Sequence, residues 1–212
     1  MQSPFATVSR LHANHIGLPY AEQLKLKAKQ GVELPGVELR LMTDAGTIAP
    51  KDGKSVGEIQ IRGAWVINGY YKTTQQDSFF DDGWFKTGDV GTIDAEGFMQ
   101  LTDRIKDLIK SGGEWISSVA LEVALMGHPG VKEAAVIAIA DEHWGERPLG
   151  IIIPKSEDDE PTSEDFQQFL AREFAKYQIP EKYVFVKEIP KTSVGKFDKK
   201  EMRLRYMNGS LA

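Results

Sequence analysis

Thr102-Asp-Arg-Ile-Lys-Asp-Leu-Ile-Lys-Ser-Gly-Gly-Glu114 lies near the middle of a chain of 212 residues. Asp103, Arg104, Lys106 and Asp107 crowd its first half; Lys110 and Ser111 then lead into the pair Gly112-Gly113. Before this run the sequence reads as short strands and tight turns, and after it strands alternate with helices. A stretch this polar between two foldable halves is either a solvated surface loop or a linker that carries chemistry. The flanking sequence decides between them.

Towards the N-terminus, Phe98–Leu101 and Val90–Ile93 read as two short strands joined by Asp94-Ala95-Glu96-Gly97, whose glycine suits a position with φ > 0. Gly57–Gly63 alternates apolar and polar residues between bounding glycines, and Val37, Leu39 and Leu41 alternate with Glu38 and Arg40; both predict half-buried strands. Asn68-Gly69-Tyr70-Tyr71 reads as a turn, Thr73–Phe80 as a short helix and Tyr20–Gln30 as a helix stopped by Gly31. Residues 1–19 have no clean period and read as a segment that needs a partner. Many short strands with frequent turns predict a small twisted β subdomain or partial barrel.

Towards the C-terminus, Ile116–Gly127 reads as a helix capped by Ser117 or Ser118. Val131–Ala140 is apolar on both faces and is expected to be a central strand, followed by strands at Leu149–Pro154 and Tyr183–Val186. Thr162 and Asp165 have the spacing of a capping box, opening a helix with Phe166, Phe169, Leu170 and Phe174 on one face. Asp198 and Glu201 open a last helix that runs to Asn208. The fold class is α+β: a β-barrel-like subdomain over residues 1–102, then an α+β domain over 103–212 with a small sheet under covering helices.

Composition narrows the function. A net charge of -5 gives no sign of a nucleic-acid surface. With 0 cysteines there is neither a disulfide framework nor thiolate chemistry. No apolar run approaches the length of a transmembrane segment, and no signal peptide is visible, which leads to a cytoplasmic expectation. His12 and His15 stand three apart with no carboxylate or thiol beside them in the sequence, so no metal site is expected.

Two stretches could carry chemistry. In Lys86-Thr87-Gly88-Asp89 the aspartate is most simply a turn residue, but an ionised carboxylate also accepts two hydroxyl hydrogen bonds at once, as a ribose diol requires; Trp84 and Phe85 beside it read as core. Pro190-Lys-Thr-Ser-Val-Gly-Lys196 fails the P-loop pattern, since Pro stands where the first Gly should be and Phe197 follows the lysine. It remains a small-residue loop that presents Lys196, either to solvent or to negative charge developing on a phosphate.

In this order, Gly57–Gly63 with Gly69-Tyr70, Trp84–Asp89, Asp103–Gly113 and Pro190–Lys196 resemble the late core motifs of the adenylate-forming enzymes, a family of acyl-CoA synthetases, luciferases and nonribosomal-peptide adenylation domains. The form Asp103-Arg-Ile-Lys-Asp-Leu-Ile-Lys-Ser-Gly-Gly-Glu-Trp-Ile-Ser117 is closest to medium- and long-chain fatty acyl-CoA ligases. The resemblance covers roughly residues 30–200. It implies an acid-thiol ligase in which a fatty acid or related carboxylate attacks ATP to give an acyl-adenylate and pyrophosphate, after which CoA displaces AMP. It implies that Asp89 binds the ribose hydroxyls and that Arg104 contacts the ribose or nearby phosphate. Lys106 would be the hinge of a mobile C-terminal lid domain, 103–212, and Lys196 the lysine of adenylation. Lys110, Ser111, Gly112 and Gly113 would face the cleft for thioester formation. Residues 1–102 would be the last, partial subdomain of the large adenylation domain. The family's phosphate loop and acyl pocket have no counterpart here, so the chain is expected to be part of a longer enzyme and inactive alone, with Mg²⁺ held by ligands outside it. Two alternatives stand beside this: an aryl-CoA ligase or carrier-loading adenylation domain, and a non-catalytic truncated module that docks or self-associates, for which a homodimer is the expected form.

Overall fold

The computed structural model describes residues 5–72, 80–156 and 160–211. The short helix expected over Thr73–Phe80 lies outside them except for Phe80. The chain divides into two compact units, Met1–Ile105 and Lys106–Ala212. The division falls inside the charged run because its first residues, Thr102 to Arg104, complete a strand.

The first unit holds β1 (Thr7–Val8), α1 (Tyr20–Ala28), β2 (Val32–Glu33), β3 (Val37–Met42), β4 (Gly57–Gly63), β5 (Phe80–Asp81), β6 (Trp84–Ile93) and β7 (Met99–Arg104). β1 pairs with β2, which gives Thr7 and Val8 a partner within the unit, while Phe5 and Ile16 of the same segment remain exposed. The main sheet runs β3-β4-β6-β5, with β7 also on β6. It is antiparallel throughout and, among the described residues, open rather than closed into a barrel. Alternation places Val37, Leu39, Leu41, Ile59 and Ile61 on one buried face with Phe85, Ile93 and Met99. Trp84 is core as expected; the guanidinium groups of Arg40 and Arg62 both stand over its ring, each 4.5 Å from the ring centroid.

The second unit holds β8 (Ile109–Ser111), β9 (Glu114–Ile116), α2 (Ser118–Met126), β10 (Val131–Asp141), β11 (Gly145–Pro154), α3 (Ser163–Leu170), β12 (Lys182–Phe185) and α4 (Lys199–Met207). The sheet order is β10-β11-β8-β9, and β12 runs parallel to β11. β10 corrects the expectation of a central strand: among the described residues it pairs with β11 alone, at the edge of the sheet, whereas β11 has neighbours on both sides. β10 is nonetheless apolar on both faces because helices cover both. Ala134 and Val136 pack with Leu121, Leu125, Phe166 and Leu170 of α2 and α3, whereas Ala135 and Ile137 pack with Leu149, Ile151 and Met202 of α4. Burial on two faces writes the same sequence pattern as a central position.

The helix starts follow their capping residues. Ser117 Oγ accepts the Ala120 N–H, Thr162 and Asp165 form the reciprocal capping box, and Asp198 accepts the Glu201 N–H. α2 starts two residues later than Ile116 because Glu114–Ile116 is drawn into the sheet as β9. α3 ends at Leu170, so Phe174 reaches the core from the following turn rather than from the helix face.

Candidate functional site

In the first unit, Asp89 and Arg104 come together. β4 and β6 pair regularly at Gln60↔Lys86 and Glu58↔Val90, which leaves Ile59 opposite three residues, Thr87, Gly88 and Asp89. The extra residues form a bulge, with Gly88 at φ 71°. Thr87 repairs the broken ladder: its Oγ1 donates to Ile59 O at 2.6 Å and accepts the Asp89 N–H at 3.1 Å. A bulge turns a side chain out of the regular alternation, and here it holds Asp89 opposite Arg104 on β7. Arg104 Nε lies 3.3 Å from Asp89 Oδ1, and both side chains remain partly open to solvent.

In the second unit, the charged run becomes a hairpin. Ile109, Lys110 and Ser111 pair with Ile116, Trp115 and Glu114 around the two-residue turn Gly112-Gly113, whose φ values are 60° and 88°. Positive φ at both central positions is the tight hairpin turn that favours glycine. Lys110 stands 5.4 Å over the Trp115 ring. The segment 144–147 cradles this hairpin. Gly112 N–H donates to Trp144 O at 2.9 Å, Lys110 N–H to Glu146 Oε2 at 2.9 Å, and Arg147 Nη1 to Ser111 Oγ at 3.2 Å. Ser111 therefore differs from the expectation that it faces outward. It is 3% exposed, because alternation along β8 puts it on the buried face with Ile109 while Lys110 points out. Lys110, Gly112 and Gly113 are exposed.

Lys106 begins the second unit. Arg203 of α4 reaches back to it, donating to Lys106 O at 3.1 Å and to Asp107 Oδ1 at 2.6 Å.

Lys196 sits in a compact loop closed by the bridge Lys191↔Phe197. Thr192 N–H donates to Lys196 O at 2.7 Å, Lys196 N–H to Thr192 Oγ1 at 3.2 Å, and Gly195 takes φ 80°. The loop is fixed at both ends. Lys191 Nζ pairs with Glu133 at 2.7 Å. Beyond Asp198, Lys199 is buried and donates to Glu122 at 2.8 Å and to Ser118 Oγ at 2.6 Å. Lys196 itself is exposed, and among the described residues no carboxylate pairs with it.

The hairpin and the Lys196 loop mark opposite ends of one sheet. Ser111 pairs with Gly145, at the start of β11. Glu133, which holds the Lys196 loop, pairs with Ile153 near the end of β11. At roughly 3.3 Å per residue these points are about 26 Å apart along the strand. Sequence reasoning missed Arg147, Glu122 and Lys199 as fixing residues, although a lone glutamate in the apolar helix Ser118–Met126 was a readable signal for a buried partner.

The histidines correct one expectation. A carboxylate does join His12 and His15: their ligand-type atoms and those of Glu96 lie within 4.8 Å of one another. The hydrogen bonds define what the group does. His15 Nδ1 accepts the His12 N–H at 3.2 Å, which leaves the proton on Nε2, donated to Glu96 at 3.0 Å. Asn14 donates to the same carboxylate at 3.1 Å. The hydrogen bonds from Asn14 and His15 hold the Glu96 carboxyl below the usual carboxylate range despite its partial desolvation. A metal-bound imidazole ordinarily offers N–H from its second nitrogen; here both nitrogens of His15 are committed, and the group anchors the residues before α1 to the turn between β6 and β7.

Residues 120–196 match the AMP-binding enzyme C-terminal domain. The chain is 48% identical over 209 residues to a long-chain-fatty-acid–CoA ligase of Thermus thermophilus, covering 97% of this chain and 38% of that protein. It is 46% identical to a medium-chain-fatty-acid–CoA ligase of Ectopseudomonas oleovorans, over 96% of this chain and 37% of the relative. Among solved structures it resembles the o-succinylbenzoate CoA synthetase of Bacillus subtilis in complex with its acyl-adenylate intermediate, with TM-score 0.77 and 29% identity over 88% of this chain and 37% of that one. The chain thus spans under two-fifths of the length of each of these proteins. No helix among the described residues is long and apolar enough to cross a membrane.

Proposed function

We propose, for a chain that belongs to the AMP-binding enzyme family through its C-terminal domain, that it forms the C-terminal portion of an ATP-dependent fatty acyl-CoA ligase. In this reading Lys106–Ala212 is the mobile lid, and Met1–Ile105 is the last part of the large adenylation domain. One observation carries the proposal: the second unit bears two exposed cationic groups, Lys196 and the Lys110 hairpin, at opposite ends of β11. A single cleft cannot meet both ends at once. A unit that turns about Lys106 can present them in sequence, one for each half of a two-step reaction.

In the first step a carboxylate oxygen bonds to the α-phosphorus of ATP and pyrophosphate leaves. Lys196 places its ammonium where charge develops between the carboxylate and that phosphate. Asp89 accepts the ribose hydroxyls, held by the bulge and by Arg104, which contacts the ribose or nearby phosphate. In the second step the turned unit presents Lys110, Gly112 and Gly113, whose lack of side chains at the turn admits the arm of CoA. Fatty acids are the favoured substrates because the curated relatives above are fatty acyl-CoA ligases; an aryl carboxylate is the nearest rival, given the o-succinylbenzoate enzyme. Magnesium belongs to ligands outside these residues. Among the described residues the one grouping of ligand-type side chains is two imidazoles and a carboxylate, whereas magnesium takes oxygen ligands. The compartment in this reading is the cytoplasm.

The test is fatty-acid-dependent ATP–pyrophosphate exchange by a polypeptide in which these residues replace the matching stretch of the Thermus thermophilus ligase. Exchange that is lost on Lys196→Ala supports the reading; exchange indifferent to Lys196→Ala, or none with any carboxylate, refutes it. The chain by itself is expected to make no thioester. A second reading rests on Ile16 and Tyr20, which are 70% and 71% exposed: self-association through this apolar surface into a homodimer. Sedimentation of the 212-residue chain as a monomer would remove it.

A further inference from the structure

We propose that Arg147 is a positioning residue for thioester formation, acting through Ser111 on the Lys110–Gly113 hairpin. The proposal rests on the ligase reading above. Arg147 is 7% exposed. Its guanidinium ties two segments together: Nη1 donates to Ser111 Oγ and to Tyr177 O, and Nη2 donates to Ile179 O at 3.3 Å and Glu181 Oε1 at 2.9 Å. The hairpin is short, with three residues on each strand. Among the described residues the backbone ladder between β8 and β11 holds the single pair Ser111↔Gly145, so side chains must do what a longer ladder would. Trp144 O and Glu146 hold the backbone of Gly112 and Lys110; Arg147 alone of the three takes hold of a hairpin side chain from inside the unit. Its fork also fixes the segment that leads into β12, so the hairpin is registered against the body of the sheet.

The chemistry explains why this register matters. In the second step the CoA sulfur bonds to the acyl carbonyl carbon, the bond from that carbon to the phosphate oxygen breaks, and AMP leaves with the electron pair while the thiol proton passes to solvent. The arm of CoA must pass the hairpin at close range, and a displacement of about 1 Å at such a point can cost on the order of 100-fold in rate. The loop that carries Lys196 is held by separate contacts: Lys191 to Glu133, Lys196 N–H to Thr192 Oγ1, and Lys199 at the start of α4 to Glu122. Loss of Arg147 therefore spares adenylation.

The experiment measures both half-reactions in the chimeric ligase described above, comparing Arg147→Met, Arg147→Lys, Ser111→Ala and the Arg147→Met/Ser111→Ala pair. The expected result is pyrophosphate exchange within about twofold of the parent, with kcat/KM for CoA down about tenfold or more in Arg147→Met. Lysine, which keeps a charge but lacks the fork, restores part of the loss. The double variant is no worse than Arg147→Met, because both changes break one link. Parallel loss of the two half-reactions would reduce Arg147 to a structural staple and overturn the proposal, as would an unchanged CoA step. If Arg147→Met does not fold, Ser111→Ala decides: a CoA step equal to the parent's overturns the proposal. A parent chimera without exchange refutes the ligase reading itself, a result distinct from either.

Discussion

Replacing Lys199 by methionine removes the cation from an enclosed ion pair of the second unit while keeping its length and most of its apolar contacts. Lys199 and Glu122 side chains are 9% and 8% exposed. Glu122 Oε1 accepts from Lys199 Nζ at 2.8 Å and from the Val136 N–H at 2.9 Å. Val136 lies on β10, whose outer edge has no neighbouring strand among the described residues, so Glu122 satisfies an edge N–H that the sheet leaves open. Without Lys199 the carboxylate loses its buried counter-charge, and breaking such a pair costs about 3–5 kcal/mol. The Glu122→Gln/Lys199→Met pair removes both charges and keeps an amide oxygen for Val136, so it should lie within about 1 kcal/mol of the original chain. Hydrogen exchange followed by mass spectrometry on the 212-residue chain reads this locally. Peptides covering α2 and β10 should exchange about 100-fold faster or more in Lys199→Met, recover in the double variant, and stay unchanged in β3 and β4 of the first unit. Protection in Lys199→Met within about threefold of the original would refute the reasoning.

Thr87→Val removes both bonds that seat the bulge and should destabilise the first unit by about 1–3 kcal/mol; in the chimera it should raise KM for ATP more than it lowers kcat, which steady-state kinetics would reveal. Gly112→Ala should harm the CoA step more than Gly113→Asn, because a Cβ at Gly112 meets the Trp144 ring at 2.9 Å whereas Gly113 has open space; equal effects would show that strain at positive φ, not the contact, limits the turn. Burial holds His128 below its ordinary value of 6.5, and its Nδ1 accepts the Gly130 N–H at 3.2 Å. The unfolded chain therefore takes up this proton first as pH falls, so the contribution of His128 is intact above 6.5 and declines as pH drops through 6.5 towards the folded value. Denaturant unfolding between pH 8 and pH 5 should show that slope, and His128→Gln should flatten it.

Elements whose causes are local were legible in the sequence. The caps at Ser117, Thr162 and Asp198 are side chains bonding to backbone three residues on, so their spacing alone announces a helix start. The alternating strands Val37–Met42 and Gly57–Gly63 were equally plain, since each turns its aliphatic residues to one buried face, although Gln60 on the other face of Gly57–Gly63 is buried as well. What misled was a pattern with two physical causes. The double-faced apolar run of β10 belongs either to a strand with neighbours on both sides or to an edge strand roofed and floored by helices, and only the partners tell them apart. The run Thr102–Glu114 hid regular structure. The two units do divide inside it, yet Thr102–Arg104 completes β7 and Ile109–Glu114 turns back as a hairpin. The strands there are three residues long, too short for any period to register.

The candidate site divides along the same line. Asp89, Arg104, Lys106, Lys110 and Lys196 could be picked out because each stands in a motif whose residue order resembles a known family. Thr87, Glu122, Arg147 and Lys199 touch other parts of the chain. Their partners lie between 14 and 81 residues away for the bonds Val136–Glu122, Thr87–Ile59, Arg147–Ser111 and Lys199–Ser118, so no local pattern links them. Yet each decides where an exposed group stands: the bulge aims Asp89, the fork on Ser111 seats the hairpin, and the buried lysine starts α4 three residues after Lys196. A substitution at Lys196 should remove one chemical step and leave the fold untouched. A substitution at Lys199, its neighbour by three residues, should loosen the unit and impair that step only as a consequence. The contrast between those two lysines, one exposed and one enclosed within a single loop-to-helix junction, is what the paired substitutions measure: under the proposed reading, one is the group that meets the substrate and the other the group that places it.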